Sequence, residues 1–334
     1  MALLSIVFRE ETASMSSPFL NSIREFMMVR RYSKRTIDSY LYWIKYFIVF
    51  NGKKHPRDTS PAEVERFLTF LAAERTVSAS TQAIALNSLV FLYGKFLEKP
   101  LGDISAFRRA TRQRKLPVVL TREEVSRLLQ QLDGMPLLMA SLLYGSGLRR
   151  MELVRLRVKD IDLDNLQVQV WNGKGFKHRL VTLAPELTDP LRLQIEKVGL
   201  LLREDRQVPG YAGVWLPDAL ARKYPAASMT LAWQFLFPSS RLSYEPGTPH
   251  LRRHHYDETN VNKLLRRAAF QAGLMKAVGS HTLRHSFATH PLQSSADIRT
   301  VQQQLGHADV KTTEIYTHVL KQGAHGVKSP LSTL

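Results

Sequence analysis

His281-Thr282-Leu283-Arg284-His285, then Leu305-Gly306-His307, then Glu314-Ile315-Tyr316-Thr317-His318: these three short runs decide how the chain is read. Upstream, Gly147-Leu148-Arg149 and the turn Asn172-Gly173-Lys174-Gly175 add two further cations. The set holds arginines, histidines, a lysine and a tyrosine, with no thiolate and no carboxylate spaced to share a metal with them. Cations that grip a phosphate, a proton donor for a leaving oxygen and a hydroxyl able to attack phosphorus are what phosphodiester chemistry requires.

Composition points the same way. The 334 residues carry a formal net charge of +18, which calls for a polyanionic partner, nucleic acid first and a membrane surface second. Hydrophobic residues make up 44% and charged residues 23%, enough for sizeable cores, and the length suggests two domains. With no cysteine, disulfides and thiolate zinc sites are excluded, and a cytosolic setting fits. No apolar run approaches the roughly 20 residues that span a bilayer. The opening Met1–Phe8 lacks a basic flank and runs into Glu10-Glu11, so residues 1–17 are expected to be a flexible extension and not a signal peptide.

Residues 18–100 read as a four-helix bundle. Phe19, Ile23, Phe26 and Met27 fall at helical spacing, and Ser33 caps a run whose Ile37, Tyr40, Ile44 and Phe47 share a stripe. Ser60-Pro61-Ala62-Glu63 is a capping box with proline at the first helical position, and Ser80 or Thr81 is expected to start the fourth helix. A basic linker, 101–118, follows, with Arg108, Arg109, Arg112, Arg114 and Lys115 close together; beside so large a net charge it is read as lying along a phosphate backbone. The second domain, 119–334, opens at the capping box Thr121-Arg122-Glu123-Glu124. Alternating Leu166–Val170 forms a strand, Asn172-Gly173 a hairpin turn and His178–Leu183 the returning strand. Residues 204–256 look loop-rich, with many prolines and aromatics. The expected class is therefore mainly α with a small antiparallel β-sheet (α+β).

Taken singly, these residues decide little. A hairpin-tip lysine such as Lys174 is usually a solubilising charge, and a tyrosine such as Tyr316 usually fills a core. His281 and His285 have the i, i+4 spacing of a zinc helix, but no glutamate lies between them and Arg284 would repel a cation, so no metal is expected. His281 and Arg284 share a helix face, with Leu283 and Phe287 turned inward. Glu152, three after Arg149, reads as an orienting partner for that arginine.

Taken together, Gly147-Leu-Arg149-Arg-Met-Glu152, Gly173-Lys174-Gly-Phe-Lys-His-Arg179, His281-Thr-Leu-Arg284-His-Ser-Phe-Ala-Thr-His290, Leu305-Gly-His307 and Ile315-Tyr316-Thr-His-Val resemble, in order and spacing, the catalytic set of the tyrosine recombinases. The resemblance implies a core-binding helical bundle followed by that family's catalytic domain. It also implies catalytic roles for Arg149, Lys174, His281, Arg284, His307 and Tyr316. Arg149 and Arg284 would hold the phosphate, and His281 and His307 would donate hydrogen bonds or move protons. Lys174 would protonate the leaving 5′ oxygen, and Tyr316 would form a 3′-phosphotyrosyl link, with no metal or cofactor needed. Strand exchange by such an enzyme takes four protomers on two DNA sites, and its setting would be the bacterial cytoplasm, on the nucleoid.

A narrower likeness lies in 204–256. Tyr211–Pro217, Ala219–Pro225, Phe235–Ser239 and Leu251–His255 are similar to the segment that sets integron integrases apart from Xer recombinases, and Gly323–Leu331 of the tail 317–334 is also similar to theirs. Such integrases join a duplex attachment site to folded single-stranded cassette sites with bases flipped out of the hairpin. By the same resemblance Trp171, Trp233, Pro246 and His255 fall where flipped bases stack, although tryptophans also fill cores. Two positions depart from the family pattern: Pro291 stands where leucine is usual and Ser295 where glycine is usual. A proline inside a helix costs about 3 kcal/mol. A lost glycine costs about 1 kcal/mol where the turn is left-handed. The alternatives left open are a Xer-like duplex-only recombinase, a type IB-like topoisomerase, and a DNA-binding protein catalytically weakened by Pro291.

Overall fold

A computed structural model describes residues 17–111, 117–171, 178–307, 309–310, 312–314 and 316. The chain divides between Lys115 and Leu116 into two compact units.

The first unit is helical. It contains α1 (Pro18–Val29), α2 (Lys34–Phe50), α3 (Pro61–Ala73) and α4 (Ala79–Phe91). Their starts follow from local chemistry: Ser33 accepts from the Thr36 N–H at 3.2 Å, and Glu63 Oε2 reaches back to the Ser60 N–H at 2.5 Å. The fourth helix begins earlier than expected. Ser78 is its cap, accepting from Thr81 N at 3.2 Å, so Ser80 and Thr81 lie within the first turn. Beyond Phe91 the chain widens into a π turn, Leu92–Phe96, closed by Leu97 N donating to Leu92 O five residues back. The helices bury Ile23, Ile44, Phe47, Phe67, Leu68 and Leu89, each fully, in a single core. The unit's last described stretch is tied down by Gln82, whose Nε2 donates to Arg108 O and whose Oε1 accepts from Ala110 N.

The second unit is helical around two small sheets. After Thr121, a true capping-box residue, come α5 (Arg122–Leu129), α6 (Gly134–Gly145) and α7 (Arg150–Arg155). Strands β1 (Ile161–Asp162), β2 (Gln167–Val170) and β3 (Arg179–Thr182) form an antiparallel sheet in which Val168 faces Val181 and Val170 faces Arg179. Val168 and Val170 alternate into the core while their neighbouring glutamines stay out. Helix α8 (Thr188–Asp205) follows. The core of this unit gathers Leu142, Leu143, Leu153, Val181, Leu265 and Leu283.

Residues 204–256 are more ordered than their prolines and aromatics suggest. They contain α9 (Asp218–Lys223) and a hairpin of β4 (Pro238–Tyr244) and β5 (Leu251–His255). A separate small core, Val214, Leu216, Ala227 and Phe235, supports them. Arg253, 7% exposed, bonds the Asp205 carboxylate through Nε at 2.8 Å and through Nη2, fixing β5 to the end of α8.

The chain then forms α10 (Glu258–Gln271), α11 (Ser280–Gln293) and α12 (Ile298–Leu305). Helix α11 carries Pro291 near its C-terminal end and runs on to Gln293. The proline has no N–H for the Phe287 carbonyl, so one rung of the helix ladder is missing. Ser295 has φ of 66°, the left-handed region where glycine is free of strain. Among the described residues, no helix is long and apolar enough to cross a membrane.

Candidate active site

Three elements deliver the cluster. Gly147, at φ of 60°, turns the chain so that Arg149 caps α7. Its missing Cβ leaves room for the Phe287 ring of α11, which lies against it. Leu283 and Phe287 pack inward, so that His281, Arg284 and His285 share the opposite side of α11. The C-terminal end of α12 closes the site. Gly306, left-handed at φ of 61°, ends that helix and sends the chain on to His307 and Tyr316.

The last carbonyls of α12 have no partner within the helix, and three arginines from three elements fill them. Arg179 Nε donates to Gln304 O at 2.9 Å, Arg284 Nη2 to Leu305 O at 2.5 Å, and Arg149 Nη2 to Gly306 O at 3.2 Å. Arg284 also donates to Gly147 O, joining the two halves of the site. The negative end of the helix dipole favours this collection of positive charge. Glu152 completes the balance. Its carboxylate accepts from Arg149 Nη1 at 2.8 Å and from Arg179 Nη1 and Nη2 at 2.9 and 2.7 Å. Burial alone would raise its pKa, but the bonds and charge of Arg179, then of Arg149, hold it down at about 2.

His307 and His285 are neutral bases here. His307 accepts from Arg284 Nη2 at Nε2, 3.3 Å away, because a guanidinium only donates; its Nδ1 therefore carries the proton and donates to Thr313 Oγ1 at 3.0 Å. Burial, then the charges of Arg284 and Arg149, push His307 down to about 4. His285 is pushed to about 4 by burial and by His281 and Arg284. Tyr316 is only 4% exposed, and its hydroxyl lies 2.8 Å from His285 Nδ1. Burial raises its pKa, against the pull of Arg284 and Arg149.

The structure thus brings Arg149, His281, Arg284, His307 and Tyr316 to one place; Lys174 lies outside the described residues. Two members of the cluster were not singled out from the sequence. Arg179 sits on β3, and its pairing with Val170 across the hairpin was the available signal for its inward aim. His285 had been weighed only as a metal ligand. Among the described residues no group of His, Asp and Glu is placed to hold a metal ion.

Of the basic linker, Arg108 and Arg109 are described. Arg108 bonds through its backbone to Thr69 and Gln82, and the Arg109 guanidinium lies 5.6 Å from the Phe107 ring. Arg112, Arg114 and Lys115 lie outside the described residues. Trp171 and Trp233 come together on Lys159, whose ammonium is 4.5 Å from one ring and 4.3 Å from the other. Asp160 accepts from Trp171 Nε1 at 2.7 Å. The row continues through Arg157 to Phe235, whose ring meets His255 at 5.4 Å. Pro246 is apart from this row: it occupies the exposed turn of the hairpin, whereas His255 pairs with Pro238 at its opposite end.

An arginine-rich pocket around a buried tyrosine, on a mainly helical domain, suits the class of enzymes that work on phosphodiesters. Comparison with known proteins agrees: residues 118–323 match the phage integrase family and residues 19–103 its N-terminal SAM-like domain. The chain belongs to the phage integrase family of tyrosine recombinases and is a site-specific DNA recombinase. It is 46% identical to an integrase/recombinase of Escherichia coli over 94% of this chain and 93% of the relative. It is 32% identical to the tyrosine recombinase XerD of Listeria monocytogenes, over 89% and 92%. Its fold is that of the XerH recombinase bound to a palindromic difH substrate, with TM-score 0.64 and 21% identity over 96% of this chain and 86% of that one. A λ integrase dimer on a core site has TM-score 0.61 and 17% identity, over 89% and 93%.

Proposed function

We propose that this recombinase is an integron integrase, which joins a duplex attachment site to folded single-stranded cassette sites. The observation that carries the reading is the aromatic and cationic row His255, Phe235, Arg157, Trp233, Lys159 and Trp171, half of it from the segment 204–256. Flat rings bind extruded bases without needing their sequence, at about 1–3 kcal/mol per base. Trp171 is 44% exposed, which leaves a ring face open to such a partner. Pro246, at the hairpin turn, would make a separate contact.

In this reading Arg149 and Arg284 fork onto the non-bridging oxygens of the scissile phosphate, displacing the carbonyls that hold them, and favour the more highly charged transition state. His281 and His307 add hydrogen bonds, Lys174 protonates the 5′ oxygen, and Tyr316 becomes linked to the 3′ phosphate. The basic linker, Arg108 to Lys115, tracks the backbone, and four protomers assemble on two sites in the bacterial cytoplasm, at the nucleoid. The phosphotyrosyl bond keeps the energy of the broken one, so rejoining needs no cofactor.

The test is covalent trapping of Tyr316 on three substrates: a folded cassette strand, its complement, and the duplex. Preference for the folded strand is expected, and Trp233→Ala should weaken that adduct by about tenfold or more without affecting the duplex. Preference for the duplex would leave a Xer-like recombinase, the second reading, which the XerD relatives favour. Supercoil relaxation without strand exchange would indicate a topoisomerase.

A further inference from the structure

We propose that His285 is the base that takes the proton from Tyr316 as it attacks phosphorus; the inference rests on Tyr316 being the nucleophile, as proposed above. The geometry is direct. His285 Nδ1 lies 2.8 Å from the tyrosine oxygen, within reach for proton transfer, and the rings are 5.6 Å apart. With 4% of Tyr316 exposed, bulk water has little access to its hydroxyl, so the proton needs an acceptor within the protein.

Neither of the other histidines in the cluster offers one. His307 stacks beside Tyr316 with ring centroids 6.4 Å apart, but its Nε2 accepts from Arg284 and its protonated Nδ1 faces Thr313. His281 stacks on His285 at 6.2 Å, and among the described residues it makes no hydrogen bond with Tyr316. The charged and titratable groups around His285 are His281 and Arg284 on its own helix, and Tyr316 with His307 beyond it. Burial, then the neighbouring His281 and the charge of Arg284, keeps the imidazole unprotonated at neutral pH, with a lone pair on the nitrogen that faces the phenol. A phosphodiester between Arg149 and Arg284 offsets that charge and raises the basicity of His285 where cleavage occurs.

The step balances. The Tyr316 O–H proton moves to His285 Nδ1 as the O–P bond forms. The bond from phosphorus to the 5′ oxygen breaks, and that oxygen takes its proton from the general acid, Lys174 in the reading above. On rejoining, the 5′ hydroxyl returns a proton to the lysine and His285 returns one to the departing phenolate.

The test uses nicked suicide duplexes selected from a random-sequence pool by covalent capture on the wild-type chain. Single-turnover adduct formation is then timed for wild type, His285→Asn and His285→Ala. Asparagine can place an amide oxygen near the position of Nδ1, keeping a hydrogen bond without proton affinity. Both variants should slow by about 10²–10⁴-fold while binding DNA within about twofold of wild type. The Asn variant should regain rate about tenfold per pH unit above neutrality, as the phenol ionises unaided, while wild type changes less. A 5′-bridging phosphorothiolate, which leaves without a proton, should rescue Lys174→Ala and not His285→Asn. Wild-type rate in the Asn variant, faster cleavage by His285→Ala, or rescue of His285→Asn by the sulfur substrate would overturn the assignment. A wild-type chain that captures no duplex, or captures it equally as Tyr316→Phe, would instead overturn the nucleophile and the base with it.

Discussion

Glu152→Gln isolates the one carboxylate, among the described residues, that balances the arginine cluster. The wild-type side chain is 8% exposed and shared between Arg149 and Arg179, and its pKa is about 2 instead of the usual 4.5. At about 1.4 kcal/mol per pH unit of difference, the ionised carboxylate contributes about 3 kcal/mol to folding at pH 7. Because the folded value is depressed, that contribution is fully present above about pH 4.5 and declines as pH falls towards 2. Linkage leaves about half of it at pH 3. Glutamine has the same shape without the charge, so the variant should be about 3 kcal/mol less stable at pH 7, and the gap should narrow by about half at pH 3. Urea unfolding followed by tryptophan fluorescence reads this well, since Trp171, Trp215 and Trp233 all lie in the second unit. A gap that stays constant from pH 7 to pH 3 would refute the electrostatic account and leave only altered packing.

Two other substitutions probe the walls of the site. Gly147→Ala puts a methyl inside the Phe287 ring and strains a left-handed residue. It should cost about 2–5 kcal/mol, from about 1–2 for the backbone and 1–3 for overpacking, read as a lower Tm with reduced adduct formation. Pro291→Leu restores an N–H to the Phe287 carbonyl in α11 and should add up to about 3 kcal/mol of stability. It should also raise recombination at unchanged DNA affinity; equal Tm and activity in the two proteins would show that the helix already accommodates the ring.

Much of this was legible in the chain because the signals were local. Ser33, Ser60 and Thr121 cap helices through contacts three residues away, so spacing alone locates them. The cap of α4 was misplaced because Ser78, Ser80 and Thr81 all offer hydroxyls, and only the fold selects which one precedes the first helical turn. The β4–β5 hairpin was hidden for a related reason. Its strands alternate weakly, and what anchors them is Arg253 on Asp205, a pair 48 residues apart in sequence. Arg149 and Glu152 could be paired from their spacing, but the stronger hold of Arg179 on Glu152 spans 27 residues and depends on strand register. Residue type likewise concealed His285: its chemistry follows from the tyrosine that the turn at Gly306 brings beside it, not from its neighbours on α11.

The carbonyls of Gln304, Leu305 and Gly306 hold one arginine each through main-chain oxygens. Every residue type supplies that oxygen, so side-chain drift at a position such as Gln304 leaves its acceptor in place, whereas Gly306, left-handed and close against Arg179, is held to glycine. Length is another matter. Inserting or deleting a single residue in α12 would rotate its end by about 100° and advance it by about 1.5 Å, misaligning all three partners at once. Among descendants of this chain, α12 should therefore vary readily in composition while its register against Arg149, Arg179 and Arg284 stays unchanged.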